Sequence, residues 1–302
     1  MNFRLLISSL ALASVSTTFA GTRDISPTLF GVFFEDLNYA ADGGLYPELV
    51  QNRSFEYSPS DVNWGNNPHN NWYYFTSWAM ERKDGICTIS LESASPLHKN
   101  NPHYLRFKGL TAGPEGVGIR NDGFDGIPVN KGEKYDFSVW TRLVKSPSLP
   151  MRVTLSEKGN IISDTTVTIS NKDWCKHSFV IIPKADADSA SLMIRFMKPA
   201  TVDVDMVSLF PQNTFKGRKN GLRKDLAEII AALKPKFVRF PGGCLTHGDG
   251  LDNIYDWKRT IGPVEQRRGD KNIWNYAQTF GLGYFEYLQF CEDIDAKAIP
   301  VV

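Results

Sequence analysis

The stretch LRKDLAEIIAALKPKFVRFPGG, residues 222–243, contains a helical pattern, a strand pattern and a turn in succession. Pro235 ends the helix because proline lacks the backbone N–H that would continue it. Residues 237–240 are typical of a short strand, and the Pro-Gly-Gly that follows predicts a turn. The apolar positions that define one helix face are Leu222, Leu226, Ile229, Ile230 and Leu233.

The same alternation of helix and strand extends outward from this stretch. Tyr284–Cys291 predicts a second helix, and the apolar run Ala298–Val302 predicts a further strand. Upstream, the continuous apolar run Leu29–Phe34 predicts a strand that is buried on both faces. Strands that alternate with helices indicate parallel βα units. If the strand at 29–34 pairs with the strand at 237–240, the residues between them form an insertion in the first unit.

Residues 58–212 show the alternation of half-buried strands instead. Tyr135, Phe137, Val139 and Thr141 alternate with polar neighbours, and clusters of Gly, Pro, Asn and Asp separate such segments. No convincing amphipathic helix occurs among them. The segment therefore predicts an antiparallel β-sandwich of jelly-roll type, and the fold class is α/β plus β.

The first twenty residues are typical of a secretory signal peptide, although a buried first helix is the alternative. Arg4 precedes the apolar run Leu5–Val15, and small side chains stand at Thr18 and Ala20. We expect a secreted or periplasmic protein with four segments: the signal peptide 1–20, a first strand and loop 21–57, the sandwich 58–212 and the βα region 213–302. Because the chain ends within the apolar run at 298–302, we expect it to be the front part of a longer protein.

Composition excludes several classes of partner. The 302 residues contain 34 Lys and Arg against 33 Asp and Glu, so no net charge attracts nucleic acid or an anionic membrane surface. The four cysteines allow three pairings and include no Cys-x-x-Cys motif, so their pairing stays open. The five histidines have no zinc-ligand spacing, and we expect no catalytic metal or other catalytic cofactor.

Polar residues follow two of the predicted strands. Glu35 and Asp36 follow the first strand, and Gly242, Gly243 and Cys244 follow the strand at 237–240. In parallel βα architectures, functional residues gather at the C-terminal ends of the strands. Taken singly, a strand-end glutamate is more often a solvated rim carboxylate and a Gly-Gly pair more often a tight turn than part of a binding site.

Four ordered blocks together resemble the α-L-arabinofuranosidases of glycoside hydrolase family 51. They are GVFFEDLN with GGLYPELVQNRSFE (31–38 and 43–56), VRFPGGC (238–244), YDWKRTIGP (255–263) and GLGYFEY (281–287). The inserted sandwich resembles the carbohydrate-binding modules found at this point in secreted bacterial members.

This resemblance implies a (β/α)8 barrel, of which the chain contains the first three strands, and release of terminal α-L-arabinofuranosyl groups from arabinoxylan or arabinan. The partner would be an arabinose-containing plant polysaccharide or oligosaccharide. Whether the protein forms an oligomer stays open. Retention requires two carboxyl groups about 5–5.5 Å apart. In the family these glutamates follow the fourth and seventh strands, so both lie beyond Val302, and we expect these 302 residues alone to be inactive.

Three residues match the family's substrate pocket. Glu35 matches a glutamate that binds arabinose hydroxyls, Cys244 a reduced thiol that lines the same pocket, and Trp274 an aromatic side chain near it. The alternatives are a rim carboxylate, a buried structural cysteine and a core tryptophan.

Two further features lie in or beside the sandwich. Glu56 and Asp205 resemble positions that hold a structural Ca²⁺ in related modules, but two carboxylates need backbone carbonyls to complete the 6–8 oxygens of such a site. The aromatic residues Trp64, Trp72, Tyr73, Tyr74 and Trp78 suit a sugar-stacking platform or, as we prefer, an aromatic core.

Two other functions stay open. One is a non-catalytic carbohydrate-binding protein with a barrel remnant, and the other is a related barrel hydrolase of endoglucanase type.

Overall fold

A computed structural model describes residues 24–58 and 73–302, so the predicted signal peptide, Trp64 and Trp72 lie outside the described residues. The strands are β1 (Val32–Phe33), β2 (Trp78–Glu81), β3 (Ile86–Glu92), β4 (Tyr104–Thr111), β5 (Val117–Asn121), β6 (Ile127–Val129), β7 (Tyr135–Lys145), β8 (Leu149–Glu157), β9 (Asn160–Ile169), β10 (Cys175–Ile181), β11 (Ala187–Phe196), β12 (Ala200–Pro211), β13 (Phe237–Phe240), β14 (Asp270–Lys271), β15 (Ala277–Gln278) and β16 (Lys297–Pro300). The α-helices are α1 (Lys224–Ala232), α2 (Cys244–His247) and α3 (Tyr284–Asp293). None of the described helices is long and apolar enough to cross a membrane.

Two antiparallel sheets pack face to face over one apolar core. The first has the order β10-β7-β12-β4-β3, and the second has the order β2-β5-β11-β8-β9 with β6 paired to β11. Phe107 of one sheet and Phe196 of the other are both fully buried, with ring centroids 4.7 Å apart. The predicted antiparallel sandwich is confirmed, because the alternating apolar residues of both sheets face this shared core.

Three parallel strands in the order β1-β13-β16 form the other part of the fold. Val32 pairs with Val238, and Phe237 pairs with Lys297. The predicted helices are present as α1 and α3, and the proposed pairing of the first strand with the strand at 237–240 is confirmed. Because β1 and β13 are direct neighbours, the sandwich is an insertion between them.

The expectation that Leu29–Phe34 is a strand buried on both faces is wrong. Only Val32 and Phe33 form the strand, and the exposed fractions of the Phe30 and Phe33 side chains are 69% and 52%. The physical reason is position: within the described part of the chain, β1 pairs with β13 alone and lies at the sheet edge. The guanidinium of Arg239 lies over the Phe33 ring, 4.7 Å from its centroid.

Hydrogen bonds connect the sandwich firmly to the parallel unit. The Asn101 side-chain amide donates to the carbonyls of Glu265, at 2.8 Å, and of Arg267, at 3.0 Å. The neighbouring Asn100 amide donates to the carbonyl of Gln266 at 2.6 Å. The sandwich is therefore fixed against the loop that precedes α3.

We expect Phe107→Ala to lower the free energy of unfolding by about 3–5 kcal/mol, because it removes a fully buried ring and leaves a cavity. Urea unfolding followed by circular dichroism measures this change. Ile161→Ala, at a side chain 46% exposed on β9, is the control and should stay within about 0.5 kcal/mol of the parent. Equal losses in both variants would contradict a core centred on Phe107.

Candidate active-site rim

Glu35 follows β1 and reaches the turn after β13. Its Oε1 accepts hydrogen bonds from the backbone N–H groups of Gly243, at 2.8 Å, and of Leu245, at 2.9 Å. A Cβ atom at Gly242 would lie 2.6 Å from the Glu35 side chain, so the turn needs glycine there for this close approach. Oε2 of Glu35 makes no hydrogen bond to any residue that the structure describes.

Cys244 begins α2 at the same turn, between the two residues that bond Glu35. Its thiol is exposed and free, and the other three cysteines are free as well. The structure therefore brings Glu35 and Cys244, which are more than 200 residues apart in sequence, to one rim at the C-terminal ends of neighbouring parallel strands. We call Glu35, the turn 242–245 and Cys244 the strand-end rim.

Trp274 lies in the turn between β14 and β15. It is half-buried and packs with Tyr57, Tyr276 and Ala277. Its indole Nε1 is buried and has no hydrogen-bond partner among the described residues. No direct contact with Glu35 is recorded within the described chain, but the β14–β15 hairpin reaches the strand-end rim through Tyr276.

Two buried carboxylates hold this hairpin, and sequence reasoning missed their role. The Tyr276 hydroxyl donates to Oδ1 of Asp36 at 3.0 Å and to the Asp36 carbonyl at 2.8 Å. Asp42 accepts from the Thr279 backbone N–H at 2.6 Å and from its hydroxyl at 2.9 Å. The residue beside Glu35 thus ties the Trp274 hairpin to the end of β1. The only sequence signal was the Glu-Asp pair at a strand end.

Burial dominates the electrostatics of Asp36. Desolvation, followed by the nearby charge of Asp42, raises the pKa of the Asp36 carboxyl to about 7, while hydrogen bonds from Ala41 and Tyr276 act against this shift. Oδ2 of Asp36 has no partner among the described residues. The fold therefore favours the protonated form of Asp36.

Glu56 and Asp205 differ in their surroundings. Glu56 is bonded by His103, whose backbone N–H donates at 2.7 Å and whose Nδ1 lies 2.6 Å from Oε2. Asp205 is fully buried, and its Oδ1 accepts from the Met206 backbone N–H, whereas its Oδ2 lacks a partner in the described chain. No group of three or more His, Cys, Asp or Glu side chains in that part of the chain is arranged to hold a metal ion.

The described aromatic residues of the 64–78 stretch divide between core and surface. Trp78 is buried, donates from Nε1 to the Asn52 carbonyl and lies 5.2 Å from Phe55 between ring centroids, as the preferred core interpretation predicts. Tyr73 is exposed, and Tyr74 lies against the His103 ring.

Two large cavities lie between the sandwich and the parallel unit, with volumes of about 720 and 860 Å³. Neither has Glu35 or Cys244 in its described lining. A cavity of only about 10 Å³ adjoins the strand-end rim at Asp36 and Leu245. The rim is thus an open surface rather than a closed pocket among the described residues.

We expect Asp36→Asn to flatten the pH dependence of stability. The folded state raises the pKa of Asp36 from 3.8 to about 7, so it holds the proton more tightly than the unfolded chain. This contribution is full below about pH 4, falls as pH rises, and reaches its minimum above about pH 7, a loss of up to about 4 kcal/mol.

Chemical unfolding at pH 4, 5.5, 7 and 8 measures the slope. Asn keeps an oxygen that can accept from Ala41 and Tyr276, so the hairpin should stay attached. Asp188→Asn, at an exposed carboxylate, should keep the parent slope. A parent-like slope in Asp36→Asn would show that Asp36 does not titrate in this range.

Comparisons with known proteins show that the chain contains a carbohydrate-binding domain. Residues 47–201 match the family model of a carbohydrate-binding domain, and residues 229–302 match that of the α-L-arabinofuranosidase 1 domain. The chain therefore belongs, through residues 47–201, to the carbohydrate-binding domain family, and it is homologous to α-L-arabinofuranosidases over most of its length.

Two relatives and one solved structure illustrate this homology. An extracellular exo-α-L-arabinofuranosidase of Streptomyces chartreusis is 41% identical over 92% of the chain, and α-L-arabinofuranosidase 1 of Arabidopsis thaliana is 35% identical over 95%. The structure of an arabinose-bound GH51 α-L-arabinofuranosidase, MgGH51, is 33% identical, has a TM-score of 0.80 and covers 91% of this chain and 44% of its own. The chain spans 33% and 42% of the two relatives. The family resemblance predicted from the four blocks is confirmed.

Proposed function

We propose that the chain is part of an exported, retaining glycoside hydrolase that releases terminal α-L-arabinofuranosyl groups from arabinoxylan or arabinan. The homology to α-L-arabinofuranosidases supports this activity, and the carbohydrate-binding domain supports a glycan partner. The name of the extracellular Streptomyces relative and the apolar segment at 5–15 support export. The proposed segments are 1–20, 21–57, 58–212 and 213–302.

The observation on which the proposal rests most is the geometry of Glu35. One carboxylate oxygen is held by two backbone N–H groups, so the side chain has a fixed orientation. The other oxygen is without a partner among the described residues and can accept from sugar hydroxyls in charge-assisted hydrogen bonds. Cys244, one residue from each N–H donor, would line the same arabinose site, and Trp274 would border it.

The catalytic glutamates of this proposal lie outside the 302 residues, which contain no Asn-Glu pair. A retaining mechanism needs two carboxyl groups about 5–5.5 Å apart on either side of the scissile bond. Glu35 is a binding residue in this proposal, since its Oε1 is committed to the turn at 243–245. We expect the 302-residue chain alone to be inactive.

We expect Glu35→Gln in the whole protein to lower kcat/KM for an aryl α-L-arabinofuranoside by a factor of roughly 10 to 150. The substitution replaces one or two charge-assisted hydrogen bonds to the sugar, each worth about 1.5–3 kcal/mol, by neutral ones worth about 0.5–1.5 kcal/mol, so that each bond loses about 1–1.5 kcal/mol. Glutamine keeps an oxygen for Gly243 and Leu245, so the turn should survive. Steady-state kinetics on the aryl arabinofuranoside and on an aryl glucoside measure the effect.

Glu228→Gln, at an exposed position on α1, is the matched control and should leave the kinetics unchanged. Parent-like kinetics in Glu35→Gln would remove Glu35 from the pocket. A preference of the parent for the glucoside would reject the proposed substrate and favour an endoglucanase-like enzyme.

We also propose a structural Ca²⁺ at Asp205, with Glu56 and backbone carbonyls as further oxygen ligands. The buried Oδ2 of Asp205, which has no partner among the described residues, is the observation that fits a cation. Burial raises the pKa of this carboxyl well above its ordinary range, so a bound ion would be what keeps it ionised. His103 already bonds both Glu56 oxygens, so Glu56 would share its lone pairs between His103 and the ion.

We expect Ca²⁺ at a hundredfold excess over its Kd to stabilise the chain by about 2–3 kcal/mol relative to chelator, because it binds the folded state alone. Thermal unfolding in CaCl₂ and in EGTA measures this difference. Asp205→Asn should abolish it without being less stable in EGTA, since it removes a buried acid, whereas Asp188→Asn should respond like the parent. A parent that ignores Ca²⁺ would contradict the proposed site.

A further inference from the structure

The cavity of about 720 Å³ between the sandwich and the parallel unit has the size of a ligand site. One wall is the sandwich loop 99–103, and the opposite wall is formed by residues 249–253 and 267–271. Arg53 and Thr279 contribute to its floor. We call this cavity the interdomain cleft.

The walls of the interdomain cleft are held in place by buried hydrogen bonds. Asn101, which is almost fully buried, joins the sandwich wall to the carbonyls of Glu265 and Arg267. On the floor, Arg53 donates to Tyr46 at 3.3 Å and to Thr279 at 3.4 Å. A cleft whose two walls are bonded to each other keeps its shape without a ligand, which lowers the entropic cost of binding.

The chemistry of the cleft suits a neutral ligand that is rich in hydroxyl groups. Most of its charged side chains have an opposite charge beside them. Lys271 lies 3.7 Å from Asp249 within the lining, and Arg53, Arg267 and Asp270 are paired with charges outside it. Paired charges leave little net field to attract an anion, yet they and the side-chain amides offer many donors and acceptors. Asn253 and Gln278 add such amides to the lining.

The cleft also begins close to the strand-end rim. Asp249 and Gly250 in its wall follow Cys244 by five and six residues, immediately after α2. Gln278 lines both the cleft and the small cavity at Asp36 and Leu245. The loop that follows α2 thus joins the strand-end rim to the cleft wall, and Gln278 lies between the two.

We propose that the interdomain cleft binds the neutral main chain of the polysaccharide whose arabinofuranosyl branch lies at the strand-end rim. This inference rests on the proposed function for the identity of the branch. It makes the sandwich a wall of the substrate site, through residues 99–103, rather than a separately tethered module. Main-chain sugars would be held by the paired side chains and amides of the cleft.

A blocking substitution at Gly250 tests the proposal. A Cβ at Gly250 would meet no atom within 4 Å, so Gly250→Trp places an indole at the cleft wall without a backbone clash. Leu251→Trp is the matched control, because Leu251 belongs to the same loop but is 89% exposed and is not part of the described lining. Arg268→Ala, at an exposed lining residue, removes guanidinium donors from the cleft without adding bulk.

Isothermal titration of the chain with unbranched xylo-oligosaccharides and arabino-oligosaccharides measures main-chain binding and distinguishes the two sources. We expect one of the two oligosaccharide series to bind the parent and Leu251→Trp with equal affinity. The same series should bind Gly250→Trp about tenfold more weakly and Arg268→Ala a few-fold more weakly. Parent-like affinity in Gly250→Trp with an unchanged melting temperature would overturn the proposal, as would failure of both series to bind the parent. If Gly250→Trp is less stable than the parent, Arg268→Ala decides.

The test of main-chain binding at the cleft can fail or succeed independently of the test of the proposed hydrolase function. Glu35→Gln should leave affinity for unbranched oligosaccharides unchanged, because Glu35 contacts only the branch in this proposal. In the whole protein, Gly250→Trp should lower kcat/KM on the branched oligosaccharide about tenfold relative to kcat/KM on the aryl arabinofuranoside, whereas Leu251→Trp should leave both values within twofold of the parent. If the enzyme preferred the aryl glucoside but still bound main chains at the cleft, the proposed substrate would be wrong and the proposed role of the cleft would stand.

Discussion

The buried carboxylate of Glu48 fixes the two ends of the inserted sandwich beside each other. Its Oε1 accepts from the backbone N–H groups of Val50 and Leu209, and its Oε2 accepts from the Ser208 hydroxyl at 2.6 Å. The entry and the exit of an insertion of about 160 residues are thereby joined through one side chain. Burial raises the pKa of Glu48, and the charge of Arg53 opposes that shift, so the pair offsets part of its own desolvation.

The buried pair of Glu48 and Arg53 is linked to the strand-end rim by a series of side-chain contacts. Arg53 bonds Thr279, and Thr279 bonds Asp42. The β14–β15 hairpin, which ends just before Thr279, is held again by Asp36 through Tyr276. Each step is a contact between buried or half-buried groups, so the sandwich, the hairpin and the end of β1 form one packed unit. Such contiguity explains why the sandwich and the parallel unit share the walls of the interdomain cleft.

The sequence predicted those elements correctly whose pattern lies within a short stretch of the chain. In residues 222–243, apolar side chains repeat every 3.6 residues and are followed by a short apolar run. These local patterns predict α1 and β13, because neither element depends on contacts with distant residues. The burial of Leu29–Phe34 was mispredicted because burial depends on what covers a strand, and β1 lies at an edge in the described structure. The pairing of β1 with β13 was foreseen only as a condition, since it joins residues 206 positions apart.

The candidate site divides in the same way. Glu35 and Cys244 were identified from motifs, and their shared rim follows from parallel pairing, which brings the C-terminal ends of neighbouring strands together. The anchoring role of Asp36 was not identified, because its partner Tyr276 lies 240 residues away and no local pattern marks that contact. The floor of the cleft at Arg53 escaped notice for the same reason, since its partner Thr279 is 226 residues distant.

Glu35 and Asp36 show how two adjacent carboxylates after one strand take different tasks. The chain turns at Asp36, where the Leu37 N–H donates to the Glu35 carbonyl at 2.9 Å; Glu35 reaches the turn after β13, while Asp36 is buried in the packed interior. Glu35 keeps one oxygen without a partner among the described residues at a half-exposed rim, where hydroxyl groups can bind. Asp36 is desolvated beside Asp42, where its protonated form is favoured and where it anchors Tyr276. A site that needs a rigid frame and an open acceptor thus obtains both from neighbouring residues of one strand end.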